Sequence, residues 1–340
     1  MKKCLIAALF LTSLFLCSCS ENILGPDPAN TPESNFEILA SDFQNVYPFF
    51  EKKGINWDSL TYVYRKEVNS KTTEKELYGV ISNLISNLKD GHVRLDSPLG
   101  QFHYEEYFRY SHNFPDFSMI QANYLKDTKA SLKFVYGRLN DQIGYIYIPV
   151  FESNQNEEGF KQIDNVLKTL KDMKAIVIDI RDNYGGELEN AKTVASRFIG
   201  SRNLYVYSRW KISSKKGDFS DFSPEYIEPA GESVFRKPVV ILSNRRCYSS
   251  AEHFIFAMKT SSNVTVIGDT TGGVMGIPVY RELPNGWKYM LPRSMQYDKN
   301  KVCYEGKGIP PDITVSNSDN SMRDLILEKA IDFLTRKISL

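Results

Sequence analysis

The chain has 340 residues, of which 42% are hydrophobic and 13% aromatic, enough for one large core and a small accessory domain. Its 42 basic and 41 acidic residues leave a net charge of +1, which gives no sign of a nucleic-acid partner. The cysteines and histidines lack the multiple spacing of a zinc site, so we expect neither a metal nor a cofactor.

The N-terminus has the features of a secretory signal. A basic start is followed by an apolar run that is too short to favour a membrane span. The run ends in Leu-Cys-Ser-Cys, which resembles a bacterial lipobox, with Cys19 as the predicted lipidated residue and Cys17 as the alternative. We predict a signal peptide over residues 1–18 and a lipidated, flexible tether over residues 19–35. The protein is then expected to hang from a membrane of the bacterial cell envelope, on the periplasmic side or at the cell surface.

Residues 36–95 predict a small N-terminal helical domain, because they are helical in pattern and rich in aromatic side chains. Apolar residues recur at helical spacing from Leu77 to Leu88 and predict an amphipathic helix that ends near Asp90. Gly91 fits the left-handed position at which many helices end.

From residue 96 to residue 340 the pattern alternates strands and helices. The predicted strands are residues 132–136, 143–148, 175–180, 238–242 and 264–268. The predicted helices are residues 160–170, 188–198 and 322–334, with a further helix that carries Phe254, Ala257 and Met258. Asn285 and Gly286 predict a hairpin turn. Repeated βα units predict an α/β fold with a largely parallel sheet covered by helices.

A serine stands where the buried strand of residues 238–242 gives way to a helix. In α/β folds the carboxyl ends of strands collect the chemistry, and the following helix supplies backbone N–H groups for a developing oxyanion. Ser249 is therefore a candidate nucleophile. The alternative is that Ser249 or Ser250 only caps the helix.

Three further segments carry candidate groups. The turn Arg-Asp-Asn-Tyr-Gly-Gly ends in Gly185 and Gly186, which allow a substrate carbonyl to approach the backbone and are candidate oxyanion donors, or form an ordinary βα turn. His92 lies at a helix end and is either structural or catalytic. Glu305 lies in a turn-rich segment, where a solvated carboxylate is the default.

Together these segments, in this order, resemble the C-terminal processing peptidases, or tail-specific proteases, and the related core of the tricorn protease. The matching segments are residues 88–92, 178–186, 249–252, 268–273 and 305–312. Several separated motifs in one order are more specific than any single motif. The resemblance implies a ClpP/crotonase-like α/β core behind the helical domain.

The resemblance also implies roles for individual residues. Ser249 corresponds to the nucleophile of a serine peptidase that hydrolyses peptide bonds of peptides or proteins through an acyl-enzyme. One branch of the family pairs this serine with a lysine, but Val274 and Met275 stand where that lysine would fall. The branch that the tricorn core represents uses a histidine and a glutamate, which are His92 and Glu305 in this chain.

The chemistry agrees with these assignments. A serine hydroxyl needs a base whose pKa lies near the working pH, and histidine, at about 6.5, meets this requirement. His92 would accept the proton of Ser249, and Glu305 would orient the imidazole directly or through an intermediary. The N–H of Ser250, with that of Gly185 or Gly186, would hold the oxyanion.

Two features depart from the family. Members with a lysine often carry a PDZ domain after the Asp-Gly-His segment, but the interval between His92 and the strand at Gly144 is too short for one. Cys247 and Cys303 each lie two residues before a candidate catalytic residue. They are expected either to form a disulfide that braces the site or to remain two buried free thiols.

Other functions and bases stay open at this point. A catalytically silent relative would bind peptides in the same groove, and an ester hydrolase or acyltransferase would use the same serine. The absence of a Gly-x-Ser-x-Gly motif argues against the usual α/β-hydrolase route. His103, His112 and His253 are alternative bases, with His253 the least favoured because it shares a helix with Ser249. The natural substrate and the oligomeric state do not follow from the sequence.

Overall fold

The computed structural model of the protein describes residues 27–104, 113–153, 159–317 and 323–339. The predicted signal peptide, both candidate lipidation cysteines and His112 lie outside these ranges. Within the described ranges, no helix combines the length and the apolar character needed to cross a membrane.

Four helices form the predicted N-terminal helical domain. They are α1 (Pro32–Val46), α2 (Phe50–Lys53), α3 (Trp57–Arg65) and α4 (Glu74–Ser86). Helix α1 begins within the predicted tether, because Thr31 caps it by accepting a hydrogen bond from the Ser34 N–H and a proline occupies its first turn. Thr73 and Glu76 form a reciprocal capping box that fixes the start of α4.

The prediction for Gly91 was wrong. Lys89, and not Gly91, adopts the positive φ, at 46°. Close packing explains the glycine at position 91, because a Cβ added there would lie 3.1 Å from a methyl group of Val274. The glycine thus allows the chain before His92 to pack closely against Val274, which follows the segment of residues 268–273.

The remaining chain contains fourteen strands and five α-helices among the described residues. The strands are β1 (Arg94–Ser97), β2 (Gly100–His103), β3 (Lys126–Ala130), β4 (Val135–Arg138), β5 (Ile143–Tyr147), β6 (Ala175–Asp179), β7 (Asn203–Trp210), β8 (Ser223–Ile227), β9 (Val239–Ser243), β10 (Val264–Gly268), β11 (Pro278–Glu282), β12 (Lys288–Pro292), β13 (Ser294–Tyr297) and β14 (Ile313–Thr314). The helices are α5 (Phe117–Asn123), α6 (Ile163–Thr169), α7 (Leu188–Ala195), α8 (Ser250–Met258) and α9 (Leu325–Ile338).

A seven-stranded sheet in the order β14-β10-β9-β6-β5-β4-β3 forms the centre of the α/β core. Its first five strands are mutually parallel, and β4 and β3 are antiparallel additions. Every residue of β6 and β9 is buried, as expected of strands covered on both faces. The predicted α/β fold is confirmed. Because β6 and β9 are adjacent, their carboxyl ends bring the Gly185–Gly186 turn beside Ser249.

Two smaller antiparallel sheets flank this core. One has the order β13-β7-β8, and the other has the order β11-β12-β1-β2. The β11–β12 hairpin confirms the turn predicted at Asn285 and Gly286. Trp287 and Tyr289 of this hairpin are buried in the same apolar cluster as the helices of the N-terminal domain. The helical domain therefore obtains part of its core from distant residues.

Candidate active site

Ser249 occupies a sharp turn between β9 and α8. Its φ is 57° and its ψ is −126°, a left-handed conformation that is strained for a residue with a side chain. Its side chain makes no capping hydrogen bond to α8 in the described structure, so the capping alternative does not explain this serine. The main-chain N–H donates to the carbonyl of Val274 at 2.9 Å. The turn therefore does not use the hydroxyl to start the helix.

His92 lies between α4 and β1 and is buried, with 6% of its surface exposed. Its main-chain N–H donates to Asp90 Oδ1 at 2.9 Å. Burial lowers the pKa of the imidazole, and the Asp90 carboxylate and the Gly276 carbonyl oppose that shift in part. The lowered pKa keeps His92 neutral at neutral pH, the state in which it accepts a proton.

Ser249 and His92 line one open cleft of about 590 Å³. Gly186, Arg94, Tyr184, Tyr248 and Tyr280 line it as well. The structure thus brings the candidate nucleophile, the candidate base and one candidate oxyanion glycine to a single surface.

The two glycines at the oxyanion position differ in their hydrogen bonds. The Gly185 N–H donates to Asn183 Oδ1 at 2.9 Å, and a Cβ on Gly185 would lie 2.8 Å from the Cβ of Ser249. The N–H groups of Gly186 and Ser250 have no partner among the described residues. Of the three candidate oxyanion donors, Gly186 and Ser250 therefore have N–H groups that no described residue uses.

Glu305 is buried, not solvated, with 3% of its surface exposed. Its Oε2 accepts a hydrogen bond from the Met275 N–H at 2.9 Å, and its Oε1 lies 3.4 Å from Lys53 Nζ. Burial and the nearby Asp90 raise the pKa of Glu305 to about 8, against the opposite effect of Lys53. Glu305 does not line the cleft of Ser249 and His92. It lines a second cavity of about 460 Å³, together with Lys53.

Sequence reasoning missed a second buried glutamate. Glu252 of α8 has no exposed surface, and it accepts hydrogen bonds from the Thr271 hydroxyl and from the N–H groups of Gly273 and Val274. Burial raises the pKa of Glu252 to about 7, although these donors lower it. The residue stands in the Ser-Ser-Ala-Glu motif, so the spacing of the motif was the available signal.

The alternative bases are distributed around the site. His103, at the end of β2, lines the cleft. His253 lies in α8, where burial lowers its pKa to about 4. With Ser249, Ser250 and Met275 it lines a separate small cavity of about 160 Å³. His253 therefore lies beside the serine, but in a different space from His92.

Cys247 and Cys303 are free thiols, so the structure does not contain the disulfide considered above. The Cys247 thiol donates to the Ile180 carbonyl at 3.0 Å within the core of the α/β sheet. Cys303 instead packs against the apolar cluster of the N-terminal domain. The two sulfurs are therefore apart, because each thiol packs in a different apolar cluster.

Comparisons with known proteins agree with this geometry. Residues 142–315 match the model of peptidase family S41, and residues 28–86 match that of the tricorn protease C1 domain. The carboxy-terminal processing protease CtpA of Bacillus subtilis is 29% identical over 201 residues, or 59% of this chain and 41% of that protein. A Parabacteroides merdae protein assigned as a peptidase superposes with a TM-score of 0.81 and 34% identity, over 90% of this chain and 97% of that one.

The tricorn protease superposes with a TM-score of 0.57 over 91% of this chain and 37% of that one, at 15% identity, which is a likeness of fold alone. The fold and the comparisons together define a serine-type peptidase. The chain belongs to peptidase family S41, and the resemblance to the C-terminal processing peptidases is confirmed. The chain spans about two fifths of the length of the curated CtpA relative.

Proposed function

We propose that the protein hydrolyses peptide bonds of peptides or proteins through an acyl-enzyme on Ser249. The observation that carries the proposal is the strained, uncapped Ser249 in one cleft with the buried, neutral His92. No feature of the described cleft favours the silent peptide-binding relative or the ester hydrolase over this reading.

The reaction uses His92 as a proton carrier. Ser249 Oγ forms a bond to the carbonyl carbon of the substrate while its proton passes to His92. The C–N bond then breaks as His92 gives that proton to the leaving amine, and an ester remains on Ser249. Water loses a proton to His92 as its oxygen bonds to the ester carbon. The bond from that carbon to Ser249 Oγ then breaks as His92 returns the proton to the serine, which releases the second product as a carboxylic acid.

Two main-chain donors would hold the oxyanion. The unused N–H groups of Gly186 and Ser250 flank the serine, and each such donor is worth about 3 kcal/mol in the transition state. Gly185 has a different role in this proposal. Its N–H is engaged by Asn183, and its lack of a side chain leaves room for Ser249.

The small cavity beside Ser249 is the proposed site for the substrate side chain that precedes the cleaved bond. Leu188, Met275, Ile277 and Pro278 supply its apolar side chains, Ser250 and His253 also line it, and its volume is about 160 Å³. Apolar walls favour apolar side chains, and this volume limits their size. We therefore expect cleavage after small or medium apolar residues.

The location of the protein is part of the proposal. The lipobox-like sequence supports a lipoprotein anchored through Cys19 to a membrane of the bacterial cell envelope, where it would meet envelope peptides or proteins. No cofactor takes part in the proposed reaction, since the serine, the histidine and backbone donors supply its chemistry.

A defined peptide mixture tests the function. The mature soluble domain and its Ser249→Ala variant would be incubated with the mixture, and the products would be identified by mass spectrometry. The proposal predicts cleavage by the wild-type domain alone, after small or medium apolar residues. Turnover of a simple ester without any peptide cleavage would contradict it and favour the ester hydrolase.

A further inference from the structure

Lys53 of α2 places its ammonium group between two buried carboxylates. Its Nζ lies 2.9 Å from Asp90 Oδ2 and 3.4 Å from Glu305 Oε1. The side chain of Lys53 is 12% exposed, and those of Asp90 and Glu305 are 0% and 2% exposed. Buried carboxylates are costly unless they are paired, so the single ammonium group compensates both.

Asp90 connects Lys53 to the candidate base. Its Oδ1 accepts the main-chain N–H of His92 at 2.9 Å, and its Oδ2 accepts the hydroxyl of Tyr47 at 2.8 Å. Lys53 Nζ also donates to the Leu88 carbonyl at 3.2 Å, on the same stretch of chain. The backbone that carries His92 is thus held by a carboxylate whose own position depends on Lys53 and Tyr47.

Glu305 connects Lys53 to the other side of the site. Its Oε2 accepts the Met275 N–H at 2.9 Å. On one side of Met275, the Val274 carbonyl accepts the N–H of Ser249. On the other side, the Gly276 carbonyl acts on His92, whose pKa it raises. Glu305 therefore holds the middle of a segment whose two ends contact the nucleophile and the base.

We infer that Lys53 is a positioning residue, and that Glu305 acts on His92 through Lys53 and Asp90 rather than by direct contact. The inference rests on the proposed function, and it names the intermediary that the sequence left open. Its consequence is that a helix of the N-terminal domain holds the two halves of the site together. That domain is then required for the chemistry and not only for stability.

The charges around the two acids make the role of Lys53 measurable. Glu305 faces Asp90, Lys53 and, farther off, Glu252, and His92 faces Asp90 and Lys53. Without the ammonium group, Asp90 loses its counter-charge and Glu305 is held in its protonated form. The pKa of Glu305 then rises further, because Lys53 is the cation that lowers it.

The test compares three variants of the mature domain on one peptide substrate. Lys53→Met removes the charge, and Lys53→Arg keeps it. Lys52→Met is the matched control, since Lys52 Nζ donates to the Cys303 carbonyl and to neither acid. We expect Lys53→Met to lower kcat by about 10-fold or more with little change in KM, and to move the pH dependence of kcat/KM to higher pH. Lys53→Arg should recover part of kcat, and Lys52→Met should match the wild type.

A double variant covers the case in which Lys53→Met fails to fold. Glu305→Gln removes one of the two acids, so Lys53→Met should fold in that background and should lower kcat less than it does alone. If Lys53→Met keeps the wild-type kcat and pH profile, or, where it does not fold, Lys53→Met in the Glu305→Gln background keeps the kcat and pH profile of Glu305→Gln, the inference is overturned. Cleavage that survives in Ser249→Ala would instead overturn the proposed function, which keeps the two failures distinct.

Discussion

Ser249 and Val274 are joined by a main-chain hydrogen bond of 2.9 Å, in which the serine N–H donates to the valine carbonyl. The N–H of Val274 donates in turn to the carboxylate of Glu252, also at 2.9 Å. The candidate nucleophile is therefore fixed through a neighbouring segment, which is itself held by the helix that follows the serine. In the lysine-dyad branch this segment would carry a base, whereas here it supports the turn.

Replacing Glu252 by Ala should destabilise the protein and reduce its activity together. The substitution leaves the Thr271 hydroxyl and the N–H groups of Gly273 and Val274 buried without an acceptor. We expect a loss of about 3 kcal/mol or more in the free energy of unfolding, measured by urea denaturation. Glu252→Gln keeps one acceptor oxygen and should lose less. An unfolding curve for Glu252→Ala identical to that of the wild type would contradict this role.

Replacing Gly185 by Ala should damage catalysis more than stability. The φ of Gly185 is 101°, and the new Cβ would lie 2.8 Å from the Cβ of Ser249, so the serine must move. A displacement of this size is expected to cost about 100-fold in kcat/KM. Gly79→Ala is the matched control. No atom lies within 4 Å of a Cβ placed there in α4, so this variant should keep full activity and gain about 0.5–1 kcal/mol of stability.

Gly185→Ala and its control Gly79→Ala are compared with the wild type in two assays, peptide cleavage and thermal unfolding. Wild-type kinetics in Gly185→Ala would mean that Ser249 does not depend on the close approach of this turn.

The α/β core was predictable because its strands are buried on both faces. The β6 and β9 sequences are short and almost wholly apolar, so they stand out without any knowledge of their neighbours. Their parallel pairing agrees with the crossover between them, which contains helix α7. The meeting of Ser249 with the Gly185–Gly186 turn is a consequence of that pairing.

The residues that hold the candidate catalytic groups in place could not be predicted in the same way. Lys53 lies in a helix of 4 residues, and nothing in the local sequence distinguishes it from Lys52 beside it. Its burial depends on Asp90 and Glu305, which reach it from distant parts of the chain. The position of the β11–β12 hairpin was also not predictable, because it is fixed by the pairing of β12 with the distant strand β1. Long-range contacts of this kind leave no periodic signal.

The pH dependence of kcat/KM should show two steps, both rising with pH. Burial lowers the pKa of His92 from the ordinary histidine value of about 6.5. Because only the neutral imidazole accepts a proton, the loss of activity at low pH should be centred below pH 6.5. Glu305 pairs with Lys53 as an anion, and its raised pKa of about 8 predicts a second rise near that pH. Cleavage rates measured from pH 5 to pH 9 test both steps. In Glu305→Gln the upper step should vanish and the lower step should remain; an unchanged upper step would show that another group titrates there.

The central claim, that Ser249 is the nucleophile, is tested most directly by the cleavage rate of Ser249→Ala on an identified peptide, with Ser250→Ala beside it. The Ser250 side chain is buried and has no assigned role in bond making, and its main-chain N–H is unchanged by the substitution. We expect a loss of about 10⁴-fold or more in kcat for Ser249→Ala and a rate within about 10-fold of the wild type for Ser250→Ala. Equal losses in both variants, or cleavage by Ser249→Ala at the wild-type rate, would contradict it.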